Sequence, residues 1–514
     1  MSRGVFRSNN KEKEVFYFKT NSSSGSTFNP NVTLSYPKRI HWDLGDGSSY
    51  IAGTTPNYIY SDGGTTKNVR FIGDDFSSIT SIFFNSDKII GDINIDSRFT
   101  NLQSINVSQN NTLTGLTISY LETPTTISCF LCGLSGDLDL TKIKLKGSNR
   151  FDGNNLTSIT HTASTENITA YWAYDNNLTG NHDMSMFPNL GGGFRVQNNT
   201  SLTGITHTNS SQIFTTYYAY SCGLIGTHDI SMLSGLGGEF RINGNPNLTN
   251  IINPISTQSF TRYWAYTNNL TGNLDLTTLT GLGGQFNVSN NPFLTSITHT
   301  ASTEIFSYYI ANDCGITGNL DLSMFPNLGG QIWLFDNANL TGVTHTTTTQ
   351  NFGGGYLIDG CNLLGTHDIS MLLNLSAKFR CYGNTNLNNV LFPNSSGGTF
   401  SNNGTGAANS ALAMYNCDLG YVNFYPLSAS TMDTLSSFGC SIYLNDNNMN
   451  SSEVNQILTD FSGITTSNIS GWSGVTLDIS GTNAAPDNTS GGFDGIAAIN
   501  YLTGVTAQWT IVTS

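Results

Sequence analysis

A pair of cysteines is the first feature of this sequence whose spacing suggests chemistry. Cys129-x-x-Cys132 has the spacing of a redox dithiol or of half a zinc site. Zinc requires its ligands about 2.0–2.3 Å from one centre, and a disulfide requires Cα atoms within about 7 Å of each other. The elements that carry these cysteines therefore decide between a chemical and a structural role.

Histidine is the second residue type that could act chemically. Seven of the eight histidines occupy two recurring positions. His182, His228 and His367 are each followed by aspartate, which would supply two members of a catalytic triad, but no serine in a nucleophile elbow accompanies them. Leu274 and Leu320 fill the same position elsewhere, and a position that accepts leucine is structural. The other recurring position contains His161, His207, His299 and His345, with Asn253 in the missing place.

An internal repeat of about 23 residues positions both residue types. A first phrase, of the type Asn-Leu-Thr-Gly, recurs every 43 to 47 residues, and a second, of the type Cys-Gly-Leu-x-Gly, follows it by 21 to 23 residues. The two phrases mark alternating versions of one unit. Their central apolar residues are Leu113, Leu156, Leu202, Leu248, Leu294, Leu340 and Leu387 in the first phrase, and Leu134, Leu178, Leu224, Leu270, Ile316 and Leu363 in the second.

Each unit contains two apolar residues two places apart, then an Asn or Cys, then a further apolar residue. Phe194, Val196, Asn199 and Leu202 form one such set. The pattern resembles the leucine-rich repeat, L-x-L-x-x-N/C-x-L, whose period is 20–29 residues. The resemblance covers roughly residues 82–480. It implies a solenoid in which short strands stack into a continuous core and corner Asn amides bridge backbone groups of adjacent coils.

This solenoid predicts where the cysteines and histidines lie. Cys129 becomes an inward strand residue and Cys132 a corner residue. Equivalent positions two coils apart are separated by about 10 Å because strands pack about 4.8 Å apart, which is too far for a disulfide or a shared zinc ion. We therefore predict reduced, structural cysteines, structural histidines, no metal, no cofactor and no catalytic residue. The corner position also contains Cys222, Cys314, Cys361 and Cys417.

The spacing predicts about 17 coils, and in each coil one residue is the first of its strand to point into the core. Strands at this separation would extend on the order of 80 Å. The rhythm lengthens after Leu387, where the Gly/Ser/Asn-rich segment 394–410 indicates a surface loop. The predicted first inward residues are at 82, 105, 127, 149, 171, 194, 217, 240, 263, 286, 309, 332, 356, 379, 412 and 442, with a further coil at 475–480.

The strand phase also predicts an outward ladder of aromatic and arginine side chains. If Phe194 and Val196 point inward, Arg195 points outward. Aromatic residues and Arg are enriched in binding hot spots, rings can stack on sugars and Arg can fork onto carboxylates, so this face is the candidate ligand-binding surface. Alternatively, the rings cover one another along the ladder; a one-residue slip would swap the faces. The candidates are Trp172, Tyr174, Arg195, Tyr218, Tyr220, Arg241, Trp264, Tyr266, Tyr308, Trp333, Phe335, Arg380 and Tyr382.

The N-terminal end differs from the repeat. Residues 36–71 contain the segment WDLGDG, followed by tyrosines and alternating apolar residues. They resemble the PKD-type immunoglobulin-like module, which implies a small β-sandwich. The usual aromatic residue of that family is missing between Gly64 and Val69. Asp43 and Asp46 could hold a cation, but the Gly-Asp-Gly sequence favours a polar turn.

The C-terminal end is predicted to cap the solenoid. Asn450 and Glu453 are spaced as in a capping box, and apolar residues follow at helical spacing. A second helix stopped by Gly504 and a final strand near 507–512 complete this cap. The predicted fold is therefore mainly β, with an N-terminal β-sandwich and anchor at 1–75, a leucine-rich-repeat solenoid at 76–448 and an α/β cap at 449–514.

Composition excludes several classes of protein. Only 11% of residues are charged, against about 25% in typical soluble chains, and the net charge is −14. Such a chain lacks the basic footprint of a nucleic-acid-binding protein. No run of 18 apolar residues occurs, so membrane insertion is not predicted. The 29 Phe and 22 Tyr supply too much apolar material for bulk disorder.

The solenoid and the N-terminal module together resemble proteins of bacteriophage virions and of bacterial surfaces, which implies recognition rather than turnover. The N-terminus shows no apolar signal core, and a virion protein leaves its host by lysis. We therefore expect a non-catalytic virion protein: a tail fibre, a baseplate receptor-binding protein or a head decoration. Its N-terminal region would contact other virion proteins, and its outward ladder would bind a host-surface glycan or protein; a homo-oligomer is compatible with this arrangement.

Two alternatives remain open at this point. The chain could be a secreted bacterial surface adhesin, located on the cell surface. It could also be a glycan-degrading enzyme, which would need two convergent carboxylates, but the outward face offers few acids.

Overall fold

A computed structural model describes residues 13–21, 27–48, 50–61, 65–394, 399–400, 411–428, 430–432 and 440–514. The protein is mainly β, with 43% strand and 8% helix, and it forms a β-solenoid of about 14 turns. The chain divides into two compact units, Met1–Leu236 and Gly237–Ser514.

Short parallel strands form the front sheet of the first unit. Each coil contributes one strand, and successive strands pair so that Ile105 lies beside Ile127 and Tyr171 beside Phe194. Alternate residues of these strands point into the core, where apolar burial stabilises the stack. The front strands are Ile79–Phe83, Ser104–Asn106, Thr126–Ser128, Gly147–Arg150, Ile168–Trp172, Leu190–Arg195 and Phe214–Tyr218.

A second set of strands forms the back of these coils. Three parallel pairs form in the first unit, the first linking Ile89–Ile95 with Thr112–Ile118. Their buried residues are apolar or histidine, whereas the exposed ones are mostly Thr, Ser, Asn and Asp, which is consistent with the low content of charged residues. The remaining back strands are Ser135–Leu140, Asn155–His161, Thr179–Asp183, Ser201–Thr206 and Ile225–Asp229.

The N-terminal segment adds antiparallel strands to both sheets of the first coils. Glu14–Thr20 pairs with Lys67–Gly73 and with the back strand Ile89–Ile95, and Asn31–Leu34 pairs with the front strand Ile79–Phe83. These hydrogen bonds cross the predicted boundary at residue 75, which remains a prediction. Gly64, used in the resemblance, lies outside the described residues. The other elements here are Thr27–Phe28, Ile40–Asp43, Ile51–Ala52, Tyr58–Ile59 and the short helix Phe76–Ser78.

The second unit repeats the front and back arrangement. Its first front strand begins at the unit boundary, and the front strands again pair in parallel, with Phe240 beside Tyr263. The front strands are Leu236–Arg241, Phe260–Trp264, Gly284–Asn287, Phe306–Ile310, Gln331–Trp333, Gly355–Leu357, Phe379–Arg380, Leu412–Ala413, Ser441–Tyr443, Thr476–Asp478 and Thr510–Val512. The other strands are Asn247–Ile252, Thr271–Leu276, Phe293–His299, Thr317–Asp321, Asn339–Thr344, Thr348–Asn351, Gly365–Asp368, Leu372–Asn374, Leu387–Leu391, Thr399–Phe400 and Thr431–Met432.

The inward residues predicted from the repeat all lie on front strands. At each of the sixteen named positions, and at Leu477 in the further coil, the side chain is at most 1% exposed. The regular turns nevertheless number about 14, not 17. After Phe379 the front strands recur at Leu412, Ile442 and Leu477, at steps of 33, 30 and 35 residues, because longer connections intervene. Most of the surface loop predicted at 394–410 lies outside the described residues.

Helices near the C-terminus confirm the predicted cap elements. Asn450 accepts a hydrogen bond from the backbone of Glu453, and the Glu453 side chain accepts one from the backbone of Asn450, which is the expected capping box. The helices are Ser451–Ser467, Ile469–Trp472 and Gly495–Leu502, with short helical turns at Tyr425–Leu427 and Ser490–Gly492. Within the described ranges, no helix combines the length and the apolar character that crossing a bilayer demands.

Corner asparagines join neighbouring coils as predicted. The Nδ2 of Asn199 donates to the carbonyl oxygens of Ala173, in the preceding coil, and Val196, at 3.0 and 2.7 Å. Its Oδ1 accepts from the backbone N–H of Leu178 at 3.0 Å. One buried amide therefore bonds to backbone groups of its own coil and of the preceding coil, and it supplies the acceptor for the buried N–H of Leu178.

Buried cysteines fill the same corner in other coils. The Sγ of Cys222 lies 3.3 Å from the carbonyl oxygen of Val196, one of the two carbonyls that Asn199 also contacts. Burial raises the pKa of Cys222 to about 12, so the thiol stays protonated. Cys129 is sealed in the core and Cys132 occupies the corner, as predicted, and both thiols are free.

Candidate functional site

The thirteen candidate residues, which we call the outward ladder, all lie half-buried on or just after the front strands. Their immediate neighbours are sealed in the core: Tyr171 is 0% exposed, whereas the adjacent Trp172 is half-buried. The strand phase predicted from the repeat is therefore confirmed. The ladder residues are partly exposed, and arginine and aromatic side chains alternate at this position up to Trp264, after which Asn287 and Ile310 precede Trp333.

In the first unit, two arginines lie between aromatic rings. The guanidinium carbon of Arg150 is 3.7 Å from the ring centroid of Phe130 and 4.7 Å from that of Trp172. The guanidinium carbon of Arg195 is 4.7 Å from the ring centroid of Trp172 and 4.9 Å from that of Tyr218. Cation–π attraction of this kind contributes about 0.5–1 kcal/mol at exposed sites. It also fixes each guanidinium in one plane.

This alternation bears on both sequence-based views of the ladder in the first unit. Trp172 and Tyr218 do not cover one another, because an arginine separates them. Nor are the ring faces free for sugars to stack on, since Arg195 occupies the space between them. What remains available to a ligand is the outer edge of each ring and the N–H groups of the guanidinium.

A second row of polar and aromatic residues lies beside the first. Asp152 is buried and pairs with Arg150 at 2.8 Å. Tyr174 follows in the next coil, and burial raises its pKa. Gln197 is 6% exposed, and its Oε1 has no hydrogen-bond partner within the described part of the chain. Together with Arg195 and its flanking rings, this row makes the ladder polar as well as aromatic.

In the second unit, carboxylates hold the ladder arginines. Glu239 pairs with Arg241 at 2.8 Å and with Arg262 at 2.6 Å. Both guanidinium groups lie near Trp264, at 4.4 and 5.2 Å from its centroid. Arg262 also donates to the side-chain oxygen of Gln285 at 2.7 Å. In this part of the ladder, one glutamate therefore pairs with two arginines, and both arginines contact the same tryptophan ring.

Farther along the second unit, an ion pair and stacked rings replace this network. Arg380 donates through Nε and Nη2 to Asp359, with distances of 2.8 to 3.0 Å. Tyr382 stacks on Tyr415, with centroids 4.5 Å apart and planes 9° apart. The ring centroids of Trp333 and Phe335 are 6.2 Å apart. Two candidates of this unit remain. The ring centroid of Tyr266 lies 6.0 Å from that of Trp264, and the hydroxyl of Tyr308 donates to the side-chain oxygen of Gln285.

Sequence reasoning missed the partners of the ladder arginines. Arg150 lies in register with Trp172 one coil earlier, and Phe130 occupies the row of Asp152 and Tyr174, one coil before Asp152, so the repeat spacing could have identified both. Asp152 and Glu239 stand two residues from an arginine on the same face, which is also visible in the sequence. Asp359 lies one coil before its partner, so the same spacing would have found it.

Histidines of the two recurring positions meet inside the core. The hydroxyl of Tyr171 lies 2.9 Å from the Nε2 atoms of both His161 and His182. A phenol hydroxyl can donate to one imidazole and accept from the other. The sequence predicted two recurring histidine positions but did not show that a tyrosine joins them inside the core. The same arrangement recurs at His207, Tyr217 and His228, and at His345, Tyr356 and His367.

The two aspartates of the N-terminal region that could hold a cation are bonded to polar groups of the protein. Asp43 pairs with Arg70. Asp46 accepts hydrogen bonds from the hydroxyl of Tyr58 at 2.7 Å and from the backbone of Ser48 at 3.0 Å. These bonds fit the predicted polar turn. Throughout the part of the chain that the structure describes, no group of three or more His, Cys, Asp or Glu side chains could hold a metal ion.

No protein-family model and no curated protein matches this chain.

Proposed function

We propose that this protein is a non-catalytic recognition protein whose outward ladder binds an extended glycan on a host surface. The observation that carries the proposal is the partial exposure of the whole ladder beside a fully sealed core. Half-buried aromatic and arginine side chains are the residue types that dominate binding hot spots. Within each unit, a surface of this kind is uncommon on a protein without a partner.

The form of the ladder favours a long ligand over a compact one. Equivalent side chains recur at about 4.8 Å per coil, so rings two coils apart are about 10 Å apart. A chain-like ligand running across the coils would meet the same contact repeatedly. Many weak contacts made at once raise the overall affinity steeply.

Acidic groups near the ladder support a binding role rather than glycan cleavage. Asp152, Glu239 and Asp359 are each engaged in an ion pair with an arginine. Glycan hydrolysis usually requires two carboxyl groups that flank one glycosidic bond, whereas each of these three is bonded to an arginine. These carboxylates therefore fit the positioning of arginines.

We further propose that the protein acts in a bacteriophage virion, as a tail fibre, baseplate receptor-binding protein or head decoration. The resemblance of its repeat and of its N-terminal segment to virion proteins is the support for this location. Peptide mass spectrometry of gradient-purified particles tests it: enrichment of this chain with the particles is expected, and its recovery only from washed bacterial envelopes would overturn the virion assignment.

The ladder is tested by a double variant, Trp172→Ala with Trp264→Ala, one substitution in each unit. Binding of the purified protein to an array of bacterial surface polysaccharides is measured. We expect at least a tenfold loss of binding, because both rings that position ladder arginines are removed. The melting temperature should fall by only a few degrees.

The matched control is Tyr120→Ala with Phe293→Ala. These rings are 65% and 58% exposed and lie outside the ladder, again one in each unit. They should leave binding unchanged. Equal losses in the two double variants, or wild-type binding by the tryptophan variant, would contradict the proposal.

A further inference from the structure

We propose that Arg195 recognises a carboxylate, so that the ligand of the outward ladder is an acidic, uronate-bearing polysaccharide. This inference rests on the proposed function and specifies its substrate class. It is drawn from a difference among the ladder arginines that the repeat alone does not show.

Arg195 differs from the other arginines of the ladder in its charge partners. Arg150 pairs with Asp152, Arg241 with Glu239, and Arg380 with Asp359. No carboxylate in the described ranges pairs with Arg195. Its one hydrogen bond runs from Nε to the hydroxyl of Thr216, at 3.4 Å. The terminal nitrogens of this guanidinium are therefore left for a ligand.

The environment of Arg195 holds its guanidinium ready for a planar anion. Trp172 and Tyr218 lie on either side, at 4.7 and 4.9 Å from its central carbon. A guanidinium fixed in this way presents parallel N–H groups that match the two oxygens of a carboxylate. Because the side chain is already ordered, little conformational freedom is lost when a ligand binds.

Gln197 supplies a second polar group on the same strand face. It is buried between the coils that carry Tyr174 and Tyr220, and its Oε1 has no hydrogen-bond partner in the described part of the protein. An unmade hydrogen bond at a buried amide is unfavourable. Because this oxygen is sealed from solvent, it marks a polar site beside Arg195 and is not itself a surface that a ligand already reaches.

These groups favour an acidic polysaccharide over nucleic acid. A nucleic acid is held by many basic contacts to its phosphates, whereas the chain carries a net charge of −14 and the other ladder arginines are neutralised by carboxylates. A single unpaired guanidinium beside an amide and aromatic edges fits a polymer with one carboxylate among many hydroxyls. A uronate polysaccharide has this composition.

The test uses three polymers, polygalacturonate, hyaluronate and alginate, each beside its carboxyl-reduced, neutral form. Binding of the full chain is measured by biolayer interferometry at 50 and 150 mM salt. We expect at least one acidic polymer to bind tenfold or more tightly than its reduced form. Arg195→Gln should remove that preference, and Arg195→Lys should restore only part of it, because lysine keeps the charge without the planar fork.

Lys144→Gln is the charge-matched control, since Lys144 is an exposed lysine outside the ladder. It should keep the full preference, and all variants should share the wild-type melting temperature within a few degrees. Equal binding of acidic and reduced polymers, or an unchanged preference in Arg195→Gln, would overturn the carboxylate assignment while leaving the ladder as a binding surface. Teichoic acid, a phosphate-bearing polymer, is measured alongside. Binding to it alone would also overturn the carboxylate assignment.

A failure of the proposed function itself gives a different result. If no polysaccharide of the wider surface array binds in a Trp172-dependent manner, the glycan-binding role falls together with this inference. If neutral polysaccharides bind and depend on Trp172, the role stands and only the acidic substrate class is lost.

Discussion

Adjacent residues of one front strand belong to two very different environments. Tyr171 faces the core, where its hydroxyl contacts His161 and His182 and no part of it is exposed. Trp172 faces outward between the guanidinium groups of Arg150 and Arg195. Both rings have polar neighbours, but inside the core those neighbours are uncharged hydrogen-bond partners, whereas outside they are cations.

The inner rungs vary only within limits set by hydrogen bonding and volume. At one of them Asn253 replaces the first histidine and still accepts the hydroxyl of Tyr263, at 3.1 Å, while Leu274 fills the place of the second and is 2% exposed. The outer rungs change from tryptophan to tyrosine, arginine and phenylalanine. We therefore expect substitutions of the inner rungs to lower stability, and we propose recognition as the role of the outer ones.

The largest predicted effect is the loss of stability in acid, which arises from the buried histidines of the inner rungs. Burial is the first cause that lowers the pKa of His207 to about 3 and of His228 to about 4, with His228 and His182 lowering that of His207 further and Asp229 opposing the shift at His228. A histidine with a depressed folded pKa contributes its full stability above the unfolded pKa of about 6.5. That contribution is lost as pH falls from about 6.5 towards 3 or 4.

The double variant His207→Asn with His228→Leu copies the rung at Tyr263 and removes both titrating groups. The wild type loses unfolding free energy between pH 7.5 and pH 5 because these histidines become protonated on unfolding. Removing each histidine should reduce that loss by about 2 kcal/mol. Acid unfolding followed by circular dichroism should therefore shift to lower pH than in the wild type. Carboxylates titrate equally in both proteins, so an unchanged acid midpoint would mean that these histidines are not sealed in the core.

Substitution of a corner amide should cause the next largest loss of stability. Asn199→Leu leaves the buried N–H of Leu178 without its side-chain acceptor and removes one donor each from the carbonyls of Ala173 and Val196, which should lower the free energy of unfolding by about 2–3 kcal/mol. Asn199→Cys should lose less, because Cys222 fills this corner elsewhere with its thiol near the Val196 carbonyl. Urea denaturation measures both variants.

Asn177→Leu provides the matched control for the corner, since Asn177 is exposed one coil earlier. Its effect should stay within about 0.5 kcal/mol. Similar stabilities for Asn199→Leu and Asn177→Leu would contradict the assignment of the corner as a joint between coils.

Much of the inner structure could be predicted because the repeat imposes one periodicity on the chain. That periodicity places Tyr171 inside and Trp172 outside, and it puts Asn199 at a corner. It does not give the distance between residues ten or eleven places apart around a coil, so the contact of Tyr171 with His161 and His182 was not visible. The rungs at Leu412 and beyond share the apolar pattern but not the spacing, so the sequence also indicated where the run of about 14 regular turns ends.

The outer ladder was predictable in position but not in detail. Alternation along a strand is enough to place Arg195 on the outward face. Which arginines are neutralised depends on side-chain reach across coils, as for Glu239, which contacts both Arg241 and Arg262. The absence of a carboxylate partner for Arg195 among the described residues therefore emerged only from the side-chain geometry.

The most direct test compares Tyr171→Ala with Trp172→Ala. Tyr171→Ala should lower the free energy of unfolding by about 3–5 kcal/mol, because it leaves a cavity in the core and removes the partner of two buried histidines. Trp172→Ala should change the melting temperature by only a few degrees but weaken polysaccharide binding. The reverse outcome, a stable Tyr171→Ala that fails to bind and an unfolded Trp172→Ala, would contradict the division between core and ladder.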